Sequence, residues 1–132
     1  MAAPTTNEEL TLIRESVLLP FLVPIVTRNI GELEAGHGKD ALLNRLYLTA
    51  ALRLLDDIEA DIRRIKKTLK DQNIRVWEDD KRAREEGARY YRFLCRGYED
   101  GFGIMREIAK AEIGTRLKLY TRKIEEAFSQ RK

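Results

Sequence analysis

Apolar residues recur at intervals of three and four over most of this 132-residue chain, the spacing that collects side chains on one face of a helix. In the first such segment Leu10, Ile13, Val17 and Phe21 carry the repeat. Thr6 and Glu9 stand before it at capping-box spacing, so the helix is predicted to start there, behind a loose tail of residues 1–5. Pro20 and Pro24 each lack a backbone donor and crowd the preceding turn, which predicts a kink or restart near Pro20. The run Val17–Val26, VLLPFLVPIV, is apolar on all sides and therefore predicts a deeply buried bent helix, with a partner-binding surface as the alternative.

The longest signal runs from Ala41 to about Asp71, after the loop residues Gly36-His37-Gly38 and a candidate cap at Asp40. Leu48, Ala51, Leu55, Ile58, Ile62, Ile65 and Leu69 alternate by three and four, as in a heptad seam. Leu42, Leu43, Leu46, Leu52 and Leu54 widen the stripe in the first half, which predicts more than one packing neighbour. A third helix is predicted from Ile104 to about Ser129, with Ile113, Leu117, Tyr120, Ile124 and Ala127 on one side and Phe128 beside them. Gly114 inside it costs about 1 kcal/mol against alanine and marks close packing or a bend.

Between the second and third helices the period changes. Ile74-Arg75-Val76-Trp77 is short, β-branched and aromatic, as a strand is. Arg89–Arg96 is its predicted return strand across a charged connector, Lys81–Gly87, and the glycines from Gly97 to Gly103 predict a turn into the last helix. Tyr90, Tyr91, Leu94 and Tyr98 also fit a helical spacing. The predicted fold is thus α+β and predominantly helical, three main helices with a β-hairpin before the last, in one domain over residues 1–132; an all-α bundle is the alternative.

Strand alternation sorts the hairpin's side chains. Ile74, Val76, Tyr91, Phe93 and Cys95 fall on one face and predict contact with the helices. Arg75, Trp77, Tyr90, Arg92, Leu94 and Arg96 fall on the other. Arginines beside exposed rings suit protein hot spots, and they also suit stacking on bases with phosphates held alongside. Arg75, Trp77, Tyr90, Arg92 and Arg96 are therefore the candidate binding residues. The carboxylates around them, from Glu78 to Asp80 and at Glu85, Glu86, Glu99 and Asp100, repel a phosphate backbone. That places protein first and nucleic acid second.

Charge agrees with this order. Lysine and arginine number 25 against 22 acidic residues, a net charge of +3 that is modest for a dedicated nucleic-acid binder. The charged fraction, 36%, suits long helices with solvated faces. One cysteine forms no intrachain disulfide and suits a reducing cytoplasm. The longest apolar run is half the roughly 20 residues that a membrane span needs, so the expected location is the cytoplasm and no membrane partner is expected.

Catalytic chemistry finds little to work with. One histidine excludes haemerythrin-like and di-iron sites built from several inward ligands, and with one cysteine it cannot complete the usual closed zinc site. A Cys95–His37 pair requires hydrogen-bond reach, and a structural core role for Cys95 is the stronger reading. Asp57 and Asp61 share a helix face within Asp56-Asp57-x-Glu59-x-Asp61, a pattern suited to Mg²⁺ but read here as a solvated acidic face. Gly36-His37-Gly38-Lys39 lacks the spacing of a P-loop. The expectation is a protein without enzymatic activity or cofactor, a homodimer or partner of another protein.

The segments DIRRIKKTLKDQNIRVWEDD, YYRFLCRGYEDGFGIM and AEIGTRLKLY resemble the small YhjD-like proteins of spore-forming bacilli over roughly residues 50–122. The likeness rests mainly on Ile74-Arg75-Val76 and Arg96-Gly97-Tyr98. It implies a long helix, a short β junction, a tyrosine-rich segment, a final helix and a Gram-positive cytoplasmic origin. It implies no activity and no catalytic residues. Where such relatives have a compact Asp/Gly turn, this chain has the longer DDKRAREEG.

Overall fold

The computed structural model describes residues 5–36, 41–81 and 88–129. Helix α1 (Asn7–Leu18) starts as predicted. Thr6 Oγ1 accepts from the Glu9 amide at 3.1 Å, and the Thr6 amide donates to Glu9 Oε1 at 3.0 Å. A 3-10 turn, Leu19–Phe21, interrupts the helix at Pro20 and leads into α2 (Leu22–Ala35), the restart that the proline predicts. Pro24 is the third residue of α2, within the first turn, where its missing donor had no helical acceptor. Ile13, Leu22 and Val26, each at most 2% exposed, enter one core, while Leu18, 1% exposed, enters a second cluster with Val17, Tyr91 and Ile104.

Helix α3 (Ala41–Asp71) is the backbone of the fold. Ile58, Ile65 and Leu69 are buried, and Leu48, Ala51, Leu55 and Ile62 pack partly buried against the same core, so the heptad-like stripe closes within one chain. Asn73 ends the helix in the left-handed conformation (φ 57°), its amide bonded to the Lys70 carbonyl.

The sheet has three antiparallel strands in the order β1 (Ile74–Glu78), β2 (Ala88–Cys95), β3 (Tyr98–Met105). The β1–β2 pairing and its facing are as the alternation predicts, and the all-α alternative is overturned. The segment read as a turn into the last helix is instead β3. The turn is only Arg96-Gly97, with φ of 50° and 91°, the pair of positive values that a two-residue hairpin requires. Gly101 and Gly103, which suggest loop, instead face strand β2, where they admit its backbone and a ring: a Cβ on Gly103 would lie 2.6 Å from the Tyr90 ring, and one on Gly101 2.9 Å from the Tyr91 backbone carbonyl.

Helix α4 (Arg106–Ser129) begins directly after β3, two residues later than predicted. It buries Tyr120 and Ile124 against α3 and α2 and packs Ile113 and Leu117 alongside, whereas Ala127 is exposed. Gly114 has open space around it and so marks no close packing. Two crossed arginine–carboxylate sets clamp α4 to α1. Arg14 Nε donates to Glu112 at 2.8 Å and Arg116 Nε to Glu15 at 2.8 Å. Glu112 is thereby held below the usual carboxylate range by the Arg14 hydrogen bond, against the opposing effect of desolvation. The Tyr120 hydroxyl donates to Asp61 of α3, and burial followed by that carboxylate pushes its pKa well up.

Taken as a continuous helical run, Asn7–Ala35 is long enough to cross a membrane and holds an 18-residue window of mean hydropathy 1.7. In this fold part of it is core: Ile13, Leu18, Leu19, Leu22 and Val26 are each no more than 2% exposed, whereas Leu10 and Ile25 are exposed.

Candidate interaction surfaces

The outer sheet face forms from residues that the pleat turns away from the helices. Register places Arg75 beside Leu94 and Glu99, Trp77 beside Arg92 and Gly101, and Tyr90 beside Gly103. Tyr90 lies over Gly103 because glycine presents no Cβ to the ring. Trp77 is 38% exposed, and Arg75 is exposed without an ion pair among the described residues. Arg92 pairs with Glu99 at 3.0 Å.

Arg96 does not belong to this face, contrary to the strand alternation that placed it there. The chain turns at Arg96, and its guanidinium reaches back to the helices. Nη1 and Nη2 donate to the Glu9 carboxylate at 2.7 and 3.0 Å, and Nη1 also donates to the Gln72 carbonyl at 3.1 Å. The structure thus brings Arg75, Trp77, Tyr90 and Arg92 together and takes Arg96 to a structural junction. Arg89, on the helix-facing side, covers the Phe21 ring at 5.0 Å. Cys95 is 1% exposed, in the core with Phe93. His37 and Asp40 lie outside the described residues, as does connector 82–87.

The acidic face of α3 has partners of its own. Asp57 pairs with Arg53, and Asp61 meets Arg64 and the Tyr120 hydroxyl. No group of three potential metal ligands occurs among the described residues.

A second surface was signalled in the sequence only as a widened stripe. The first three turns of α3 leave Leu42 (81% exposed), Leu43, Leu46, Tyr47 and Leu52 uncovered. Beside them lies a groove of about 640 Å³ between α2, α3 and α4, lined by Leu33, Tyr47, Leu54 and Ile124.

A helical α+β domain, its three-stranded antiparallel sheet inserted before the last helix, is therefore the class that fold and surfaces define. A model of the YhjD protein family matches residues 4–125, and the chain belongs to that family. No curated protein and no solved structure matches it.

Proposed function

We propose that the chain is a small non-enzymatic interaction protein of the cytoplasm that self-associates through the first half of α3. One observation carries this reading. From Ala41 to Leu52 the helix has Arg45 as its one charged residue, in a protein that is 36% charged, while four of its leucines and Tyr47 stand uncovered. A helix apolar on more than one face is normally buried, and a monomer rarely exposes a large contiguous apolar patch. Two-fold packing of α3 on α3 of a second copy covers the patch with itself, and the neighbouring groove at Leu33 and Ile124 can receive the protruding leucines. The burial of Cys95 and the pairing of Asp57 and Asp61 support a role without catalysis. The use of the apolar N-terminal run as core supports a cytoplasmic location.

Light scattering over a range of concentrations tests the reading. Wild type is expected to be a dimer and Leu42→Glu/Leu46→Glu a monomer of unchanged helicity. A wild-type monomer at high micromolar concentration would reject self-association.

Nucleic acid on the outer sheet face is the second reading, supported by Arg75 standing without an ion pair among the described residues, next to the exposed Trp77 ring. It has one cation fewer now that Arg96 is committed to Glu9. Its signature is an affinity that falls steeply with salt and weakens in Arg75→Ala.

A further inference from the structure

We propose that the open edge of β1 binds an acidic extended segment of another protein by strand addition. This surface is distinct from the α3 patch, and its use does not require self-association. In the β1–β2 ladder the Arg96 amide donates to the Asn73 carbonyl and the Asp79 amide to the Tyr90 carbonyl. Antiparallel bonding alternates, so the odd-numbered residues of β1 turn their backbone groups towards β2. Val76 and Glu78, both half-buried, therefore turn theirs outwards, whereas Ile74 at 5% exposure is already covered, and β2 is the only strand beside β1 among the described residues. Outward donors and acceptors on a strand with no neighbouring strand on that side are a template for another strand.

The ground beside that edge is shaped for a guest. A groove of about 540 Å³ runs between the helix-facing side of β1, the 3-10 turn and the end of α3. Val17, Pro20, Phe21 and Leu69 give it apolar walls that suit every second side chain of an added strand. Among the described residues its charge is one-sided: Lys66, Lys70, Arg75 and Arg89 line it, Glu78 is the one carboxylate, and Arg89 pairs with it at 3.9 Å. A second β1 brought alongside would face these cations with the same set, so a second copy is disfavoured. An acidic segment of a different protein matches them. The backbone ladder supplies affinity without regard to sequence, while the cations and the apolar walls select the guest.

A short fluorescein-labelled peptide of alternating valine and glutamate is the probe, with an alternating valine and lysine peptide and a single-stranded oligonucleotide as comparisons. Anisotropy is expected to rise with the acidic peptide and not with the basic one. Lys66→Glu/Lys70→Glu, at two exposed positions, is expected to weaken binding by about tenfold or more. Val76→Pro removes an outward amide and no ladder donor, at some cost in the packing of Val76 against the core, and is expected to abolish binding while leaving the β1–β2 ladder in place. In hydrogen exchange, the amides of Val76 and Glu78 are expected to gain protection on binding, with those of Arg75 and Trp77 protected throughout. No binding of the acidic peptide, equal binding of the basic one, or unchanged exchange at Val76 and Glu78 in the complex overturns the proposal. Binding of the oligonucleotide alone assigns the groove to phosphate and overturns it as well.

Discussion

Arg96 closes the β2–β3 hairpin and places its guanidinium on both oxygens of Glu9, at 2.7 and 3.0 Å. Glu9 is at the same time the capping-box residue of α1, and Arg96 also donates to the Gln72 carbonyl just past the end of α3. One ion pair therefore ties the start of α1, the end of α3 and the sheet at a single point. The Arg96 hydrogen bond, the Thr6 amide bond and the nearby positive charge lower the Glu9 pKa from 4.5 to about 2, outweighing the opposing desolvation.

This relationship sets an acid limit. Because the folded pKa lies below the unfolded one, the pair's stabilisation is fully present above pH 4.5 and is lost as pH falls towards about 2. Denaturation midpoints measured across that window are expected to fall more steeply for wild type than for Glu9→Gln. Thr6→Ala, which removes the cap alone, is expected to cost about 1 kcal/mol.

Gly103 and Tyr90 form a second relationship that substitution can read. A Cβ at Gly103 would sit 2.6 Å from the ring, so the ring or the strand must give way. Gly103→Ala is expected to destabilise by about 1–3 kcal/mol. If the ring is the obstacle, the same change in a Tyr90→Ala background costs less, and a double-mutant cycle by denaturant unfolding gives the coupling directly.

Gly114 gives the opposite sign. It sits inside α4 with nothing within 4 Å of where a Cβ would be. Gly114→Ala is expected to stabilise by about 0.4–1 kcal/mol, by restricting the unfolded chain. Thermal unfolding checks this, and a loss of stability would show that the helix bends there in solution.

Period and capping made the helices legible. Thr6 with Glu9, the stripe from Leu48 to Leu69 and the stripe from Ile113 to Ile124 each state a local preference that packing reinforces. Strand β3 was hidden because its glycines were read as turn residues, when their role is tertiary: Gly101 and Gly103 make room for residues of β2 across the sheet. Arg96 was misplaced for a related reason. Alternation holds only while the chain stays extended, and arginine is an unusual occupant of a left-handed turn position; here its bonds to Glu9 and Gln72 accompany that conformation. Of the candidate face, Arg75, Trp77, Tyr90 and Arg92 follow from strand period alone. The open edge of β1 does not, since sequence order cannot say which strand ends the sheet.

The clamp between α1 and α4 predicts a larger loss from one arginine than from its neighbour. Arg116 is 15% exposed and serves both Glu15 and Glu112, whereas Arg14 is 36% exposed and serves Glu112. Removing Arg116 leaves two partly buried carboxylates short of a donor. Arg116→Met is expected to cost about 1.5–3 kcal/mol, the range for hydrogen bonds to charged groups, and Arg14→Met less. Because Glu112 is held below its ordinary range first by the Arg14 hydrogen bond and to a lesser degree by Arg116, the Arg14 deficit should shrink most as acid protonates Glu112.

Helix α3 carries two kinds of leucine-like position, and stability separates them from association. Ile58 is fully buried where α3 meets the core, so Ile58→Ala removes packing on all sides and is expected to cost about 2–5 kcal/mol. Leu42 is 81% exposed, so Leu42→Ala leaves no cavity within the chain and is expected to change monomer stability by no more than about 0.5 kcal/mol. If the α3 patch is a self-association surface, the two variants also differ in concentration dependence. The melting temperature of wild type and Ile58→Ala rises with protein concentration, because association stabilises by mass action. That of Leu42→Ala rises less, and Leu42→Glu/Leu46→Glu shows no dependence. Equal concentration dependence in all of these proteins would place the association surface elsewhere than the first turns of α3.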